Sequence, residues 1–291
     1  MDEVFVLGGV SYDTIIQLDK LPDGFAKTIF AKNIYQVVGS TGAGKAIALK
    51  KLGFKVTLHG VIGDDNSGKI IENTLRNHNV RFISDIDFLG TETHTNLMSE
   101  DGNRISIFTN STSFEPTVNQ YLIENQIKKA DIIVLNIMNY CRKFIPLIKT
   151  LNKKIWVDIH DYDGQNSYYQ DFIEAADYLF LSSDLLPNYK EFMSEQISLG
   201  KELVVCTHGK HGSSLLTKDK KWLYQDSIPG TRVVDTNGAG DNFFAGFLYA
   251  YTMGKSYEKC LYSGAQVAKK CVEHLEIVSP LLNTNWLDKL L

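Results

Sequence analysis

Short apolar runs alternate with helical patterns along most of this 291-residue chain, and this alternation restricts the fold more than any other feature of its sequence. Runs of this kind indicate buried strands, here at residues 4–7, 56–59, 132–135, 155–159, 178–181 and 203–207. Helical patterns lie at residues 42–52, 66–77, 241–251 and 257–273. Strands alternating with helices pair in parallel through right-handed crossovers. The sequence therefore predicts an α/β fold with a mostly parallel sheet between two layers of helices.

Two stretches interrupt this rhythm. Residues 14–38 and 91–108 are rich in strand-forming and turn residues and lack helical periodicity. Within the second stretch, residues 96–99 and 104–108 flank a Glu-Asp-Gly-Asn turn at 100–103, which is a hairpin signal. We expect both stretches to form a small sheet that projects as a lid. Since there is neither a linker nor a repeat, we expect a single domain over residues 1–291.

Composition excludes several classes of protein. A net charge of −4 argues against a surface devoted to nucleic acid or to an anionic membrane. The longest apolar runs are too short to span a bilayer, and the acidic start is unlike a secretory signal. The four cysteines are widely spaced and form no CxxC pair, so neither a zinc site nor a disulfide framework is indicated. A cytoplasmic protein is the expectation.

The chemical signal with the greatest specificity is a glycine-rich turn before a predicted helix, in the string Asp-Thr-Asn-Gly-Ala-Gly-Asp at residues 235–241. Glycines let backbone N–H groups point at one spot, and a helix N-terminus adds positive potential there. The amides of Gly238, Ala239 and Gly240 are therefore candidates to hold a phosphoryl group. Asp241 suits a base that faces an acceptor hydroxyl, although acidic residues also commonly cap helices.

A second glycine-rich string competes with the first. Residues 39–46 read Gly-Ser-Thr-Gly-Ala-Gly-Lys-Ala, which matches a P-loop except at its last position. There, Ala46 stands where a hydroxyl side chain would bind magnesium. A P-loop NTPase that uses Gly39 to Lys45 is thus an alternative. Otherwise Lys45 is interpreted as a solvated helix residue.

The string at 235–241 resembles, without a mismatch, the C-terminal signature of the ribokinase-like (PfkB-type) carbohydrate kinases. The stretch from Gly39 to Ala46, followed by Leu52-Gly53, resembles the family's Gly-Gly-x-x-x-Asn-x-Ala segment, with Ser40 and Gly44 departing from it. The resemblance implies a three-layer α/β/α fold with a β-sheet lid, which in several relatives also forms a homodimer. It also implies transfer of the γ-phosphoryl group of ATP to a hydroxyl, with Mg²⁺ bridging the phosphates. A monovalent cation is a further candidate cofactor.

The same resemblance assigns roles to individual residues. Asp241 would be the base, and the amides of Gly238, Ala239 and Gly240 would stabilise the transferring group. The residues implied to bind the acceptor are Asp13, Gly39 and Ser40, although Asp13 alone would suit a surface turn equally well. Those implied to lie beside the nucleotide are Thr207, Gly209, Gly212 and Thr236, although residues 207–212 would also suit a plain β-turn.

The metal ligands are not identified by the sequence. The Asn-x-x-Glu segment common in the family is absent after residues 178–181, where Asp184 is either a substitute or a helix cap. The polar cluster at residues 158–164 lacks the spacing of a Ca²⁺ loop and is interpreted as a loop with local hydrogen bonds near the site.

The acceptor remains open among small molecules. A sugar or sugar derivative is the expectation, and a nucleoside is the alternative within the same family. A sugar-binding relative without catalytic activity is disfavoured because Asp241 is intact.

Overall fold

The computed structural model describes residues 2–100 and 102–291. Its strands are β1 (Glu3–Leu7), β2 (Ser11–Leu18), β3 (Asn33–Gly39), β4 (Lys55–Ile62), β5 (Arg81–Ile86), β6 (Thr93–Ser99), β7 (Arg104–Asn110), β8 (Ile132–Leu135), β9 (Ile155–Asp158), β10 (Tyr178–Ser182), β11 (Leu203–Thr207), β12 (Ser213–Thr217) and β13 (Trp222–Gln225). Its helices are α1 (Thr41–Lys51), α2 (Asn66–Asn77), α3 (Gln120–Lys129), α4 (Ile145–Thr150), α5 (Gln170–Ala175), α6 (Tyr189–Ser198), α7 (Ala239–Thr252), α8 (Tyr257–Val272) and α9 (Thr284–Asp288).

Nine strands form the central sheet, in the order β13-β12-β11-β10-β9-β8-β1-β4-β5. The pairs from β11 to β5 are parallel, whereas β12 and β13 add an antiparallel edge. Helices α1, α2 and α7 to α9 pack on one face of the sheet, and α3 to α6 pack on the other. The predicted α/β class is therefore confirmed, with three layers. The antiparallel edge was not predicted.

A separate four-stranded sheet has the order β3-β2-β6-β7 and is built from the two stretches that interrupt the alternation. Strand β2 pairs with β3 antiparallel and with β6 parallel, and β6 and β7 form the predicted hairpin. We call this sheet the lid. Asp101 of the predicted hairpin turn lies outside the described residues, as does Met1.

Two helices that matter for the site are buried over most of their length. In α1, residues 42–49 are buried, and in α7, residues 241–250 are buried. A helix that is enclosed on all sides needs neighbours all round it, and here the two helices pack against each other as well as against the sheet. Among the described residues, no helix is long and apolar enough to cross a membrane.

Candidate active site

The start of α1 is fixed directly against the end of β1. A Cβ added at Gly42 would lie 2.0 Å from the carbonyl oxygen of Gly8, so only glycine permits this approach. The Ala43 amide donates to the Gly9 carbonyl at 3.1 Å. The buried Asn136 amide group, just after β8, donates to the Gly8 carbonyl at 2.7 Å. These contacts hold the first turn of α1 at the carboxyl edge of the sheet, where ligands of open α/β sheets bind.

The predicted acceptor residues come together beside this turn. Asp13 lies on lid strand β2 and is only 3% exposed, so the surface-turn interpretation of Asp13 is wrong. A Cβ at Gly39 would lie 2.1 Å from Asp13 Oδ2. The backbone then turns through Ser40, which has a positive φ of 67°. The structure therefore places Asp13, Gly39 and Ser40 in one corner between the lid and α1.

Three lid residues that the sequence analysis missed surround Asp13. His94 Nδ1 lies 3.3 Å from Asp13 Oδ1, and His94 Nε2 lies 3.2 Å from Glu92 Oε1. Asn96 Nδ2 is 3.5 Å from Asp13 Oδ2. Burial opposes a charge on the ring, but hydrogen bonds to the two carboxylates raise the pKa of His94 to about 9. The period-two pattern of residues 92, 94 and 96 was the available signal, since alternate residues of a strand share a face.

This corner can bind hydroxyl groups. Ser11 Oγ is buried and makes no hydrogen bond within the described part of the chain, and the equally buried Asp13 Oδ1 has only the 3.3 Å contact with the His94 ring. Buried polar atoms are nearly always satisfied, so unpaired ones beside a cleft indicate a ligand. A carboxylate that accepts, next to an amide and an imidazolium that donate, matches the alternating donors and acceptors of a polyhydroxyl compound.

The glycine-rich turn has the conformation that its sequence predicts. Gly238 has a φ of 77°, and a Cβ on it would lie 2.7 Å from the Ile277 carbonyl oxygen. Helix α7 begins immediately afterwards, at Ala239. The Ala239 amide donates to the Thr236 carbonyl at 3.2 Å, whereas no acceptor within residues 2–100 and 102–291 takes the amides of Gly238 and Gly240. Gly240 faces open space, so an anion can approach it.

Asp241 lies in the first turn of α7 and is buried, with 8% exposure. Its Oδ1 atom is 2.5 Å from Lys45 Nζ, and the same Nζ is 3.1 Å from Asp158 Oδ2 at the end of β9. Burial raises the pKa of Asp241 above the usual carboxyl range, while the Lys45 ammonium opposes that rise. Burial has the same tendency at Asp158, but neighbouring charges, His160 and Lys45, lower its pKa to about 2.

Two interpretations from the sequence are corrected by this cluster. Lys45 is not a solvated helix residue, because its side chain has no exposure. Asp158 is not merely a loop residue, because it ends a central strand and pairs with Lys45. The available signal was a lysine among the small and apolar residues of α1. A lysine in such a buried helix needs an acidic partner, because an unpaired lysine is almost never fully buried.

The P-loop alternative does not fit this geometry. Strand β3, which precedes the glycine string, belongs to the lid and not to the central sheet. In a P-loop, the lysine reaches the nucleotide phosphates. Here, Lys45 Nζ is enclosed by two carboxylates and has no access to the surface.

The residues that were predicted to bind the nucleotide lie at two separate places in the fold. Thr207 ends β11, and Gly209 and Gly212 belong to the tight turn that follows it at the carboxyl edge. A Cβ at Gly212 would lie 2.0 Å from the Gln225 carbonyl oxygen, so this turn packs closely on the end of β13. Thr236 instead contacts the lid, with its hydroxyl 3.5 Å from the Gly102 carbonyl.

The described part of the chain contains no group of three or more His, Cys, Asp or Glu side chains that could hold a metal ion. Asp184 is exposed. Helix α6 begins only at Tyr189, after Asn188, so Asp184 does not cap it, contrary to the interpretation of Asp184 as a helix cap.

Comparisons with known proteins agree with this geometry. The model of the pfkB family carbohydrate kinases matches residues 1–284. The acarbose 7(IV)-phosphotransferase of Actinoplanes sp. is 31% identical over 269 residues, which cover 90% of this chain and 89% of that protein.

Solved structures of carbohydrate kinases have the same fold as this chain. The microbiome-derived acarbose kinase Mak1 superposes with a TM-score of 0.86 and 29% identity, covering 99% of this chain and 98% of that one. Arabidopsis thaliana ribokinase, complexed with ribose and ATP, has a TM-score of 0.79 at 23% identity, with 99% and 98% covered. This chain therefore belongs to the pfkB family of carbohydrate kinases and is an ATP-dependent phosphotransferase with a ribokinase-like fold.

Proposed function

We propose that Asp241 removes the proton from an acceptor hydroxyl while the γ-phosphoryl group of ATP moves to that oxygen. The observation that carries this proposal is the position of Asp241, in the first turn of α7 and directly after the amides of the 238–240 turn. Gly238 and Gly240 would donate to the phosphoryl oxygens, and Ala239 holds the turn through Thr236. Phosphoryl transfer needs mainly alignment and charge stabilisation, and this arrangement supplies both.

The acceptor we propose is an alcohol group of a carbohydrate. Asp13, Gly39 and Ser40 would hold it, with His94 as an additional donor. The unpaired buried hydroxyl of Ser11, beside the buried carboxylate of Asp13, supports a hydroxyl-rich ligand. The similarity to a protein named for acarbose phosphorylation makes acarbose the first carbohydrate to test.

For the nucleotide, we propose that Thr207, Gly209, Gly212 and Thr236 line the ATP side of the cleft. Magnesium would enter bound to the nucleotide phosphates, because the nearby carboxylates of Asp158 and Asp241 already face Lys45. When bound, it neutralises phosphate charge. A monovalent cation remains a candidate, to be tested by ion substitution.

We further propose a homodimer formed through the lid. Three residues of edge strand β7 support this proposal because their apolar side chains are exposed: Ile105, Ile107 and Phe108. A cytoplasmic location is proposed as well, and it is supported by four buried cysteines that are all free thiols.

One assay tests the function. ATP consumption and product formation are measured with acarbose, free sugars and nucleosides, using the wild type, Asp241→Asn, and Asp161→Asn as a control at an exposed carboxylate of the same sheet edge. We expect turnover with a carbohydrate. Asp241→Asn should lower kcat by about 100-fold or more while still binding ADP in calorimetry, since a positioned base contributes about this much.

The control should retain wild-type turnover. Turnover with nucleosides alone would replace the carbohydrate by a nucleoside acceptor. Full activity in Asp241→Asn would overturn the assignment of the base.

A further inference from the structure

Lys45 is the buried cation of this site. Its Nζ atom contacts Asp241 Oδ1 at 2.5 Å and Asp158 Oδ2 at 3.1 Å, and its side chain has no exposure. An ammonium group without access to water must be neutralised by partners, and a broken pair of this kind is strongly destabilising. The two carboxylates keep Lys45 protonated, in agreement with the raised direction of its pKa.

Two further titratable groups lie near Asp241. Burial lowers the pKa of His160, whose Nδ1 lies 3.4 Å from Asp158 Oδ2, and the charge of Asp158 opposes that shift. Burial raises the pKa of Cys271 on α8, so this neighbour is a neutral thiol. The cluster contains two carboxylates, the ammonium group of Lys45 between them and the imidazole of His160 beside Asp158. Without Lys45, the two buried carboxylates would lose the one ammonium group in this cluster that contacts both.

The two carboxylate oxygens of Asp241 have different neighbours. Oδ1 is held by Lys45, and Oδ2 faces Gly44, where an added Cβ would lie only 2.7 Å away. Gly44 is the residue that replaces the family's usual asparagine. The space that this replacement leaves open lies beside Oδ2, the carboxylate oxygen that Lys45 does not occupy.

We propose that Lys45 is a positioning residue for the base Asp241. Its ammonium group fixes the rotation of the carboxylate through Oδ1 and keeps the carboxylate ionised beside Asp158, so that Oδ2 receives the proton. This inference rests on the proposed role of Asp241 as the base. It assigns further roles to Lys45 and Asp158.

In the reaction, the acceptor O–H bond breaks and its proton passes to Asp241 Oδ2. The acceptor oxygen bonds to the γ-phosphorus, and the bond to the β,γ-bridging oxygen breaks to release ADP. Lys45 keeps its proton throughout. Once Asp241 is neutral, Asp158 remains as the counterion of Lys45, which explains why the cluster contains two carboxylates.

The test begins with Lys45→Met, which removes the charge but keeps an unbranched side chain. The acidic limb of the kcat–pH profile should move up by about 1 pH unit or more, because a charge within 4–6 Å shifts a carboxyl pKa by about 1–3 units. We expect kcat at pH 7 to fall at least ~10-fold and the Kd of ADP to change less than about threefold. Lys50→Met, at a partly exposed lysine of the same helix, is the control and should match the wild type.

Asp158→Asn provides the opposite change. It removes a negative charge beside Asp241 and leaves Lys45 in place, so the acidic limb should move down. In the double variant Lys45→Met/Asp158→Asn, the limb should return towards the wild-type position, and part of kcat should be recovered. If Lys45→Met does not fold, Asp158→Asn and Lys45→Gln still give the direction of the shift.

The outcomes separate this inference from the proposed function. An unmoved acidic limb in both single variants would reduce Lys45 to a structural role and overturn the inference. Loss of ADP binding in Lys45→Met would assign Lys45 to phosphate binding and also overturn it. Full activity in Asp241→Asn would instead remove the base, whatever Lys45 does.

Discussion

Tyr35 of lid strand β3 donates a hydrogen bond to the carboxylate of Asp235, the residue that starts the turn before α7. The other oxygen of the same carboxylate accepts the Asn237 amide at 2.8 Å. Burial, followed by the neighbouring carboxylate, raises the pKa of Tyr35, so its hydroxyl stays protonated as a donor. One buried carboxylate thus connects the lid to the glycine-rich turn whose amides we propose as donors to the phosphoryl group.

Removal of this connection should weaken catalysis without removing the base. For Tyr35→Phe, we expect kcat/KM to fall about tenfold, because a hydrogen bond to a charged group contributes about 1.5 kcal/mol. Steady-state kinetics with ATP and the acceptor measure the change. Tyr12→Phe is the control, since its hydroxyl makes only a 3.3 Å contact with Gln36 on the same sheet. An equal loss in both variants would contradict a specific role for Tyr35.

Substitutions at two glycines should have different kinetic effects, because one glycine lies beside the proposed base and the other lies beside the proposed acceptor site. Gly44→Ala places a methyl group 2.7 Å from Asp241 Oδ2 and should lower kcat by up to about 100-fold, since a displacement of about 1 Å costs roughly that much. Gly39→Ala places one 2.1 Å from Asp13 Oδ2 and should raise the KM of the acceptor. The KM of ATP should stay near the wild-type value in Gly39→Ala. The same kinetic pattern in both variants would argue against two distinct roles.

His94 should make stability depend on pH. Its pKa is raised to about 9 in the folded chain, against about 6.5 in the unfolded chain. Its stabilising contribution is therefore complete below about pH 6.5 and is lost as the pH rises towards 9. The free energy of unfolding, followed by urea denaturation, should fall less over this range in His94→Gln than in the wild type.

His274→Gln is the control for this measurement, because the partly exposed His274 lies far along the chain, two residues after the end of α8. Its pH dependence should match the wild type. A wild-type slope in His94→Gln would show that the contacts of His94 with Asp13 and Glu92 do not favour its charged form.

Asp65 should contribute to stability through two elements at once. It caps α2 by accepting the Gly68 amide at 2.8 Å, and it accepts the amide and the hydroxyl of Thr91 at 2.8 and 2.7 Å. Asp65→Ala should lower the free energy of unfolding by about 1–3 kcal/mol. The adjacent control Asp64→Ala loses only a 3.9 Å ion pair with Lys69 and should stay within about 0.5 kcal/mol of the wild type.

Local patterns in the sequence were sufficient for six of the nine strands of the central sheet and for helices α1, α2, α7 and α8. The predicted bounds of α2, β8 and β11 are those of the structure, because helix periodicity and short apolar runs depend on neighbours along the chain. The antiparallel strands β12 and β13 were missed, since pairing direction depends on distant partners. The lid was predicted as a sheet, but its parallel pairing of β2 with β6 was not.

The glycine-rich string from Asp235 to Asp241 indicated the reaction class through its match to the family signature, which is contained in consecutive residues. Only the tertiary structure placed His94 beside Asp13, and only the tertiary structure brought Lys45 to Asp241 across 196 residues. Residue spacing cannot encode such contacts, which arise when the sheet brings the ends of separate elements to one edge. The sequence by itself therefore identified Asp241 as the proposed base, and the packing of α1 against α7 decided that Lys45 lies beside it.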